Sequence, residues 1–146
     1  MKWNEAMDDE IASMKAFGVY ERVPQSVAQG RQILGCKWVY KRKTGKDGEV
    51  TRYRARLVAQ GFRQREWDSF NPDEISSPVA HKDTLRLFLS TAAGLNLRVH
   101  SDVKAAFLQS NLSEKIYLRA PPGYESKTEK GEEEILELHR AIYGLK

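Results

Sequence analysis

The sequence predicts an α+β protein in which helices pack on one side of a sheet. Three observations lead to this prediction: an amphipathic segment near the start, a strand–turn–strand pattern in the middle, and later segments that alternate apolar and polar residues. The chain has 146 residues, 40% of them hydrophobic, which suffices for one domain with a real core.

The composition excludes several classes of protein. Cys36 is the only cysteine, so neither an intrachain disulfide nor a multi-cysteine zinc site is available, and the three histidines lack metal-ligand spacing. No apolar run approaches the roughly 20 residues that span a bilayer, and the opening MKWNEAMDDE lacks the apolar core of a secretory signal. We expect an intracellular protein of the cytosol or nucleus, neither secreted nor bound to a membrane.

The first 65 residues predict a helix followed by a hairpin. Helical spacing and a stop at Gly18 predict a helix over residues 3–17, based on Trp3, Met7, Ile11, Met14 and Phe17. The segments ILGCKWVYKRK and VTRYRARLVAQGF flank TGKDGE, whose Asp47-Gly48 pair is a strong hairpin signal. We expect Trp38 and Tyr40 to share one face of this hairpin.

Positive charge is concentrated in the same hairpin. Residues 31–65 hold eleven Lys or Arg and two carboxylates, a local net charge of +9 in a chain whose total is +4. Alternation places Arg52, Arg54 and Arg56 on one face of the second strand. Guanidinium groups bind phosphate bidentately, which favours a phosphate-bearing ligand over a face that serves solubility alone. Tyr53, on the other face, either stacks on a base or belongs to the core.

The middle of the chain predicts a connector over residues 66–80 and then a buried helix. This helix starts with Asp83 as its N-cap and ends at Gly94, and its core side comprises Leu85, Phe88, Leu89, Ala92 and Ala93.

A short strand is predicted next, because Leu95, Leu97 and Val99 alternate with polar residues and lead to Asp102. A carboxylate at a strand end is suited to bind a metal ion in phosphoryl transfer. From spacing alone, a turn or cap role for Asp102 is favoured, because turn and cap aspartates are far commoner than metal ligands.

The last third predicts two more strands. Ile116 and Leu118 indicate the first, which the turn Pro121-Pro122-Gly123 closes. A polar connection, ESKTEKGEEE, leads to EILELHRAIYGLK, which begins as a strand and is expected to continue into a helix.

The motifs, taken in order, resemble those of the copia-type retrotransposon reverse transcriptases over essentially the whole chain. The series comprises Trp3…Ala6…Glu10, KWVYKRK, RYRARLVAQGF, SPVA, DTLRLFLSTAAG, DVKAAFLQSNLSEKIYLRAPPGY and AIYGLK. Two departures are the linker wording around residues 65–80 and Ser110, where the family usually has glycine.

The resemblance implies part of a right-hand polymerase within one partial domain, residues 1–146. A basic fingers hairpin would occupy about residues 31–65. The start of the palm, an incomplete antiparallel sheet with packed helices, would occupy about residues 80–146.

The resemblance also implies roles for individual residues. The candidates for binding the triphosphate and the template backbone are Lys41, Lys43, Arg54 and Arg56, and the register leaves open which of them contacts the triphosphate. Asp102 would be the first catalytic aspartate and a metal ligand, assisted by the backbone carbonyl of Val103. Phe107 would be the steric gate against a 2′-hydroxyl, with an ordinary core role as the alternative.

The implied cofactor is a pair of Mg²⁺ ions, and the implied partners are an RNA or DNA template–primer, a deoxynucleoside triphosphate and the rest of the polyprotein. The family's paired aspartates come later than AIYGLK, so we expect this chain alone to be inactive. The implied location is a cytoplasmic virus-like particle or the nucleus. A non-catalytic basic nucleic-acid-binding module and a decayed element remnant are the alternatives.

Overall fold

A computed structural model of the chain describes residues 2–65, 81–100, 108 and 110–146. Its elements are α1 (Lys2–Ala16), β1 (Tyr20–Pro24), β2 (Ile33–Leu34), β3 (Cys36–Thr44), β4 (Val50–Ala59), α2 (Lys82–Gly94), β5 (Asn111–Arg119) and β6 (Glu134–Arg140). Short 3₁₀ turns follow β1 and β4, at Gln25–Ala28 and Gly61–Arg63. This mixture of helices and strands agrees with the α+β prediction. In the part of the chain described, no helix is long and apolar enough to cross a membrane.

The strands form a four-stranded sheet and a separate two-stranded hairpin. The sheet has the order β1-β6-β5-β2, and among the described strands β3 pairs only with β4. The β1–β6 and β6–β5 pairings are antiparallel, whereas β2 runs parallel to β5, with Ile33 beside Tyr117 and Leu34 beside Leu118. The antiparallel pairing expected within about residues 80–146 is present between β5 and β6, and β2, which lies outside that range, adds a parallel edge to the sheet. A two-residue strand carries no directional signal in its sequence, so the path of the chain across the sheet sets this pairing.

Helix α1 ends as the sequence predicts and connects directly to the sheet. Gly18 adopts a φ of +59°, and the amide of Val19 donates to the carbonyl of Met14 at 3.0 Å. The carbonyl of Val19 in turn accepts a hydrogen bond from the amide of His139 in β6 at 2.8 Å. The main core then combines buried side chains from both sheets and α1: Met14, Val19, Leu34, Leu57, Ala59, Leu108, Ile116, Leu118, Leu136, Leu138 and Ile142.

Helix α2 forms where predicted, but the prediction that it is buried is wrong. Leu85, Phe88 and Leu89 are each more than half exposed, and within this helix only Ala92 is buried. The N-cap is His81 rather than Asp83, which lies in the first turn and pairs with Arg86 at 3.4 Å. Apolar periodicity predicts a helix with an apolar side, but burial also requires a partner surface. No described strand or helix packs extensively against this side.

The strand predicted at residues 95–100 is also absent. The chain turns at Asn96, whose φ is +52°, and residues 97–100 join no ladder, with Leu97 and Val99 at least half exposed. Alternation identifies a segment able to form a strand, but a strand also needs a neighbour for its backbone hydrogen bonds. The predicted position of Asp102 at a strand end lies outside the described residues.

The structure confirms the strands β5 and β6 and the polar connection between them, in which Lys127 bridges to Glu133. The helix predicted to follow β6 is wrong. Residues 141–146, which we call the C-terminal segment, form a turn instead. The carbonyls of Tyr143 and Gly144 accept hydrogen bonds from Ala59 and Gly61, so contacts with a distant strand override local helical preference.

Candidate nucleic-acid interface

The hairpin β3–β4 is closed by a tight turn at its tip. The amide of Gly45 donates to the carbonyl of Glu49 at 2.9 Å, and Gly48 adopts a φ of +79°, which its lack of a side chain permits. The register shifts between Lys43 and Thr44, and Thr51 Oγ1 donates to the Lys43 carbonyl at 3.1 Å. These contacts fix the register, and with it the face on which each side chain lies.

One face of the hairpin carries the positive charge. We call it the cationic face, and its charged members are Lys37, Lys41, Lys43, Arg52, Arg54 and Arg56. Lys41 lies directly opposite Arg54, and Lys43 directly opposite Arg52. Like charges in opposed positions destabilise a two-stranded ladder unless an anion offsets them. None of the six forms a salt bridge with a carboxylate of the described residues, and the exposed members Lys37, Lys41, Lys43 and Arg52 are accessible to an external anion.

The opposite face packs on helix α1. The ring centroid of Trp3 lies 5.0 Å from that of Tyr40 and 4.6 Å from that of Tyr53. The predicted alternation of β4 is confirmed, because Ala55 and Leu57 on this face are buried. Tyr53 is half-buried against Trp3, and this favours the core interpretation of Tyr53 over base stacking.

The base of the hairpin is attached to the rest of the molecule by specific hydrogen bonds. Trp38 Nε1 donates to the Pro122 carbonyl at 3.1 Å. The amide of Ala59 donates to the Tyr143 carbonyl at 2.8 Å, and that of Gly61 to the Gly144 carbonyl at 2.9 Å. These bonds tie β3 and β4 to the turn after β5 and to the C-terminal segment, so the base is fixed while the tip projects.

Along β4, the exposure of the charged side chains falls from the tip of the cationic face to its base, whereas Lys37, near the base of β3, is exposed. Lys41, Lys43 and Arg52 are exposed, whereas Arg54 and Arg56 are half-buried. The guanidinium carbon of Arg56 lies 4.6 Å from the ring centroid of Tyr143, a cation–π contact. The Arg56 Nε is buried and has no hydrogen-bond partner in the described part of the chain.

Helix α1 brings a carboxylate beside these arginines. Burial raises the pKa of Glu10, although a hydrogen bond from the Leu57 backbone and the charges of Arg54 and Arg56 act in the opposite direction. A cavity of about 300 Å³ opens here between α1 and β4, and its lining includes Asp9, Glu10, Ser13, Arg52, Arg54, Leu108 and Tyr143. Leu108 is the member of this lining that comes from the segment between α2 and β5.

The structure therefore brings four of the predicted site residues, Lys41, Lys43, Arg54 and Arg56, onto one face. The other three, Asp102, Val103 and Phe107, lie outside the described residues. Across residues 2–65, 81–100 and 110–146, no three His, Cys, Asp or Glu side chains are grouped as a metal site requires.

Sequence reasoning missed two neighbours of this face. Glu10 and Tyr143 each belong to a family motif, but no periodicity or charge pattern links either residue to Arg56, which is more than 40 positions away from both in the sequence. Only the packing of α1 and of the C-terminal segment places them beside Arg56.

Comparisons with known proteins agree with the motif series. A family model described as reverse transcriptase (RNA-dependent DNA polymerase) matches residues 18–146. The chain is 41% identical over 143 residues to the retrovirus-related Pol polyprotein from transposon TNT 1-94 of Nicotiana tabacum. It is 34% identical over 146 residues to the corresponding polyproteins from transposons RE2 and RE1 of Arabidopsis thaliana. These alignments cover 97–99% of the chain but 10% of each polyprotein. No solved structure matches the chain.

Proposed function

The chain belongs to the reverse transcriptase family, and on that premise we propose that it supplies part of the nucleotidyl-transfer centre of a copia-type Pol polyprotein. In this proposal the hairpin β3–β4 acts as the polymerase fingers. Residues from about 80 onward begin the palm. The template–primer, the deoxynucleoside triphosphate and the rest of the polyprotein are the proposed partners, in a virus-like particle or the nucleus.

The observation that carries the proposal is the cationic face. Two directly opposed pairs of like charges, Lys41 with Arg54 and Lys43 with Arg52, make a face that a polyanion stabilises. Template backbone and triphosphate both supply closely spaced phosphates, and arginine binds each through two parallel hydrogen bonds. Arg52 and Arg54 also line the cavity between α1 and β4, so they can contact a ligand in this cavity as well as one on the surface.

The metal-binding part of the proposal rests on Asp102 and the carbonyl of Val103. Both supply oxygen ligands, which Mg²⁺ prefers, so the donor chemistry fits. One carboxylate is too few for a pair of ions, and the described residues add no further cluster of ligands. Bound Mg²⁺ would offset the charge that develops on the transferred phosphate. The proposal therefore places the remaining ligands elsewhere in the polyprotein and makes this chain alone inactive, with Phe107 as the gate against a 2′-hydroxyl.

Salt-dependent binding to an RNA–DNA template–primer duplex tests the interface. Each phosphate contact contributes about 0.9 to the slope of log K against log salt. The double variant Lys41→Gln/Lys43→Gln should therefore reduce the slope by about two. The matched control is Lys127→Gln/Lys130→Gln, which removes the same charge from the β5–β6 connection. Equal losses in the two double variants would reject the assignment to the hairpin.

Asp102→Asn separates the polymerase proposal from a purely binding module. In the complete polyprotein it should abolish primer extension and leave duplex binding intact. Primer extension that survives the substitution would exclude Asp102 as a catalytic residue. Such a result would favour the non-catalytic module.

A further inference from the structure

We infer that Arg56 is a positioning residue, clamped by Tyr143 at the base of the hairpin, and that the phosphates are bound by the more distal cations of the same face. This inference rests on the proposed function, and it divides a set of four candidate residues into two roles.

The environment of Arg56 prevents it from binding phosphate through the side of its guanidinium. Its Nε is inaccessible to solvent, and a side-on bidentate contact uses this nitrogen together with one terminal nitrogen. The ring of Tyr143, 4.6 Å away, covers one side of the planar group. By contrast, Lys41, Lys43 and Arg52 are exposed, and within the described part of the chain none of them forms a cation–π contact.

Tyr143 is itself held in place by the backbone. Its carbonyl accepts the Ala59 amide at 2.8 Å, and the next carbonyl, of Gly144, accepts the Gly61 amide at 2.9 Å. Gly144 lies so close to β4 that a Cβ there would be 2.6 Å from Val58 Cγ1. The C-terminal segment thus lies over Val58 and Arg56, on the basal half of the cationic face.

Glu10 completes the arrangement from helix α1. It is half-buried, and the charges of Arg54 and Arg56 both lower its pKa against the larger effect of burial. The Arg56 side chain therefore lies where β4, the C-terminal segment and α1 meet.

This location explains what Arg56 does for binding. A two-stranded hairpin is marginally stable alone, so its direction depends on contacts at its base as well as on the packing of its opposite face on α1. A stacked guanidinium at that junction fixes the direction in which β4 projects. It thereby fixes where Lys41, Lys43 and Arg54 meet the phosphates.

Two measurements on the full chain distinguish positioning from direct contact. The first is the salt slope for the RNA–DNA duplex, and the second is hydrogen exchange of the Ala59 and Gly61 amides without ligand. Lys43→Gln is the reference for a phosphate contact and should lower the slope by about 0.9. Arg56→Lys keeps the charge but not the planar stacking group. We expect it to keep the slope, weaken binding by about threefold to tenfold and accelerate exchange of both amides.

Tyr143→Leu should reproduce the effects of Arg56→Lys, and Tyr143→Phe, which keeps the ring beside Arg56, should bind more tightly and exchange more slowly than Tyr143→Leu. The inference is overturned if Arg56→Lys or Tyr143→Leu binds and exchanges like the wild type, or if Arg56→Gln lowers the slope as much as Lys43→Gln. If the wild type itself shows no salt-sensitive binding, the proposed function is rejected. In that case, hydrogen exchange of the Ala59 amide in the Arg56 and Tyr143 variants still shows whether these two side chains stabilise the base of the hairpin.

Discussion

Replacing Gly144 by alanine should detach the C-terminal segment from the base of the hairpin. Gly144 adopts a φ of +87°, which a side chain disfavours. A Cβ at this position would lie 2.3 Å from the Ala59 carbonyl oxygen and 2.6 Å from Val58 Cγ1. Both distances are far below van der Waals contact, so the backbone must move and the adjoining hydrogen bonds must lengthen or break.

The expected loss of stability follows from these contacts. The positive φ costs about 1–2 kcal/mol for a residue with a side chain. Disrupting the Ala59–Tyr143 and Gly61–Gly144 hydrogen bonds costs about 1 kcal/mol each. We therefore expect Gly144→Ala to lower the free energy of unfolding by about 3–4 kcal/mol, a large part of the roughly 5–15 kcal/mol typical of a domain.

Urea unfolding followed by circular dichroism provides the measurement, and two other glycines provide the controls. Gly131 has a φ of +82° but open space around its Cβ, so Gly131→Ala should cost only about 1–2 kcal/mol. Gly61 has no positive φ, but its Cβ would lie 2.0 Å from the Gly144 carbonyl oxygen. Gly61→Ala therefore measures the cost of the steric clash without the cost of a positive φ. If Gly144→Ala is no more destabilising than Gly131→Ala, the proposed close approach does not govern stability.

Three further predictions concern the pH dependence of stability and the exposed helix α2. Burial raises the pKa of Glu10, so the folded state favours the protonated side chain, and this contribution to stability is lost as pH rises through the raised pKa. Glu10→Gln should therefore gain stability relative to the wild type as pH rises above the ordinary glutamate pKa. Hydrogen bonds from Ser26 lower the pKa of Glu132, so Glu132→Gln should lose stability relative to the wild type at neutral pH but not in acid, the opposite of Glu10→Gln. If the urea midpoints of the two variants change with pH in parallel with that of the wild type, both predictions are contradicted. Leu87 is 70% exposed, so Leu87→Glu should reduce the binding of a hydrophobic dye and change the free energy of unfolding by less than about 0.5 kcal/mol. Ala92 is 8% exposed, so Ala92→Glu buries a charge and should lower the free energy of unfolding by about 2 kcal/mol or more.

The hairpin illustrates what local patterns predict reliably. Asp47-Gly48 marks its turn, and alternation in β4 places Arg52, Arg54 and Arg56 on one face, as the register confirms. Both signals act between neighbouring residues, through backbone sterics and through the period of two of a strand. The sequence alone therefore predicts most of the charged residues of the cationic face.

Sequence patterns predict the structure less reliably where the outcome depends on a partner surface. Leu85, Phe88 and Leu89 have the spacing of a buried helix side, and Leu97 and Val99 that of a strand, yet these residues are exposed. The same limit applies to the end of the chain, where hydrogen bonds to Ala59 and Gly61 replace the expected helix.

Family and charge distribution follow from the sequence alone, because ordered motifs and local periodicity are properties of the chain. The different environments of the four predicted cations are decided only by tertiary structure. Tyr143 lies 87 positions after Arg56 in the sequence, and the sequence does not encode their contact in any local pattern. It arises because Gly61 and Gly144 lack side chains and so let two backbone segments approach closely enough to hydrogen-bond.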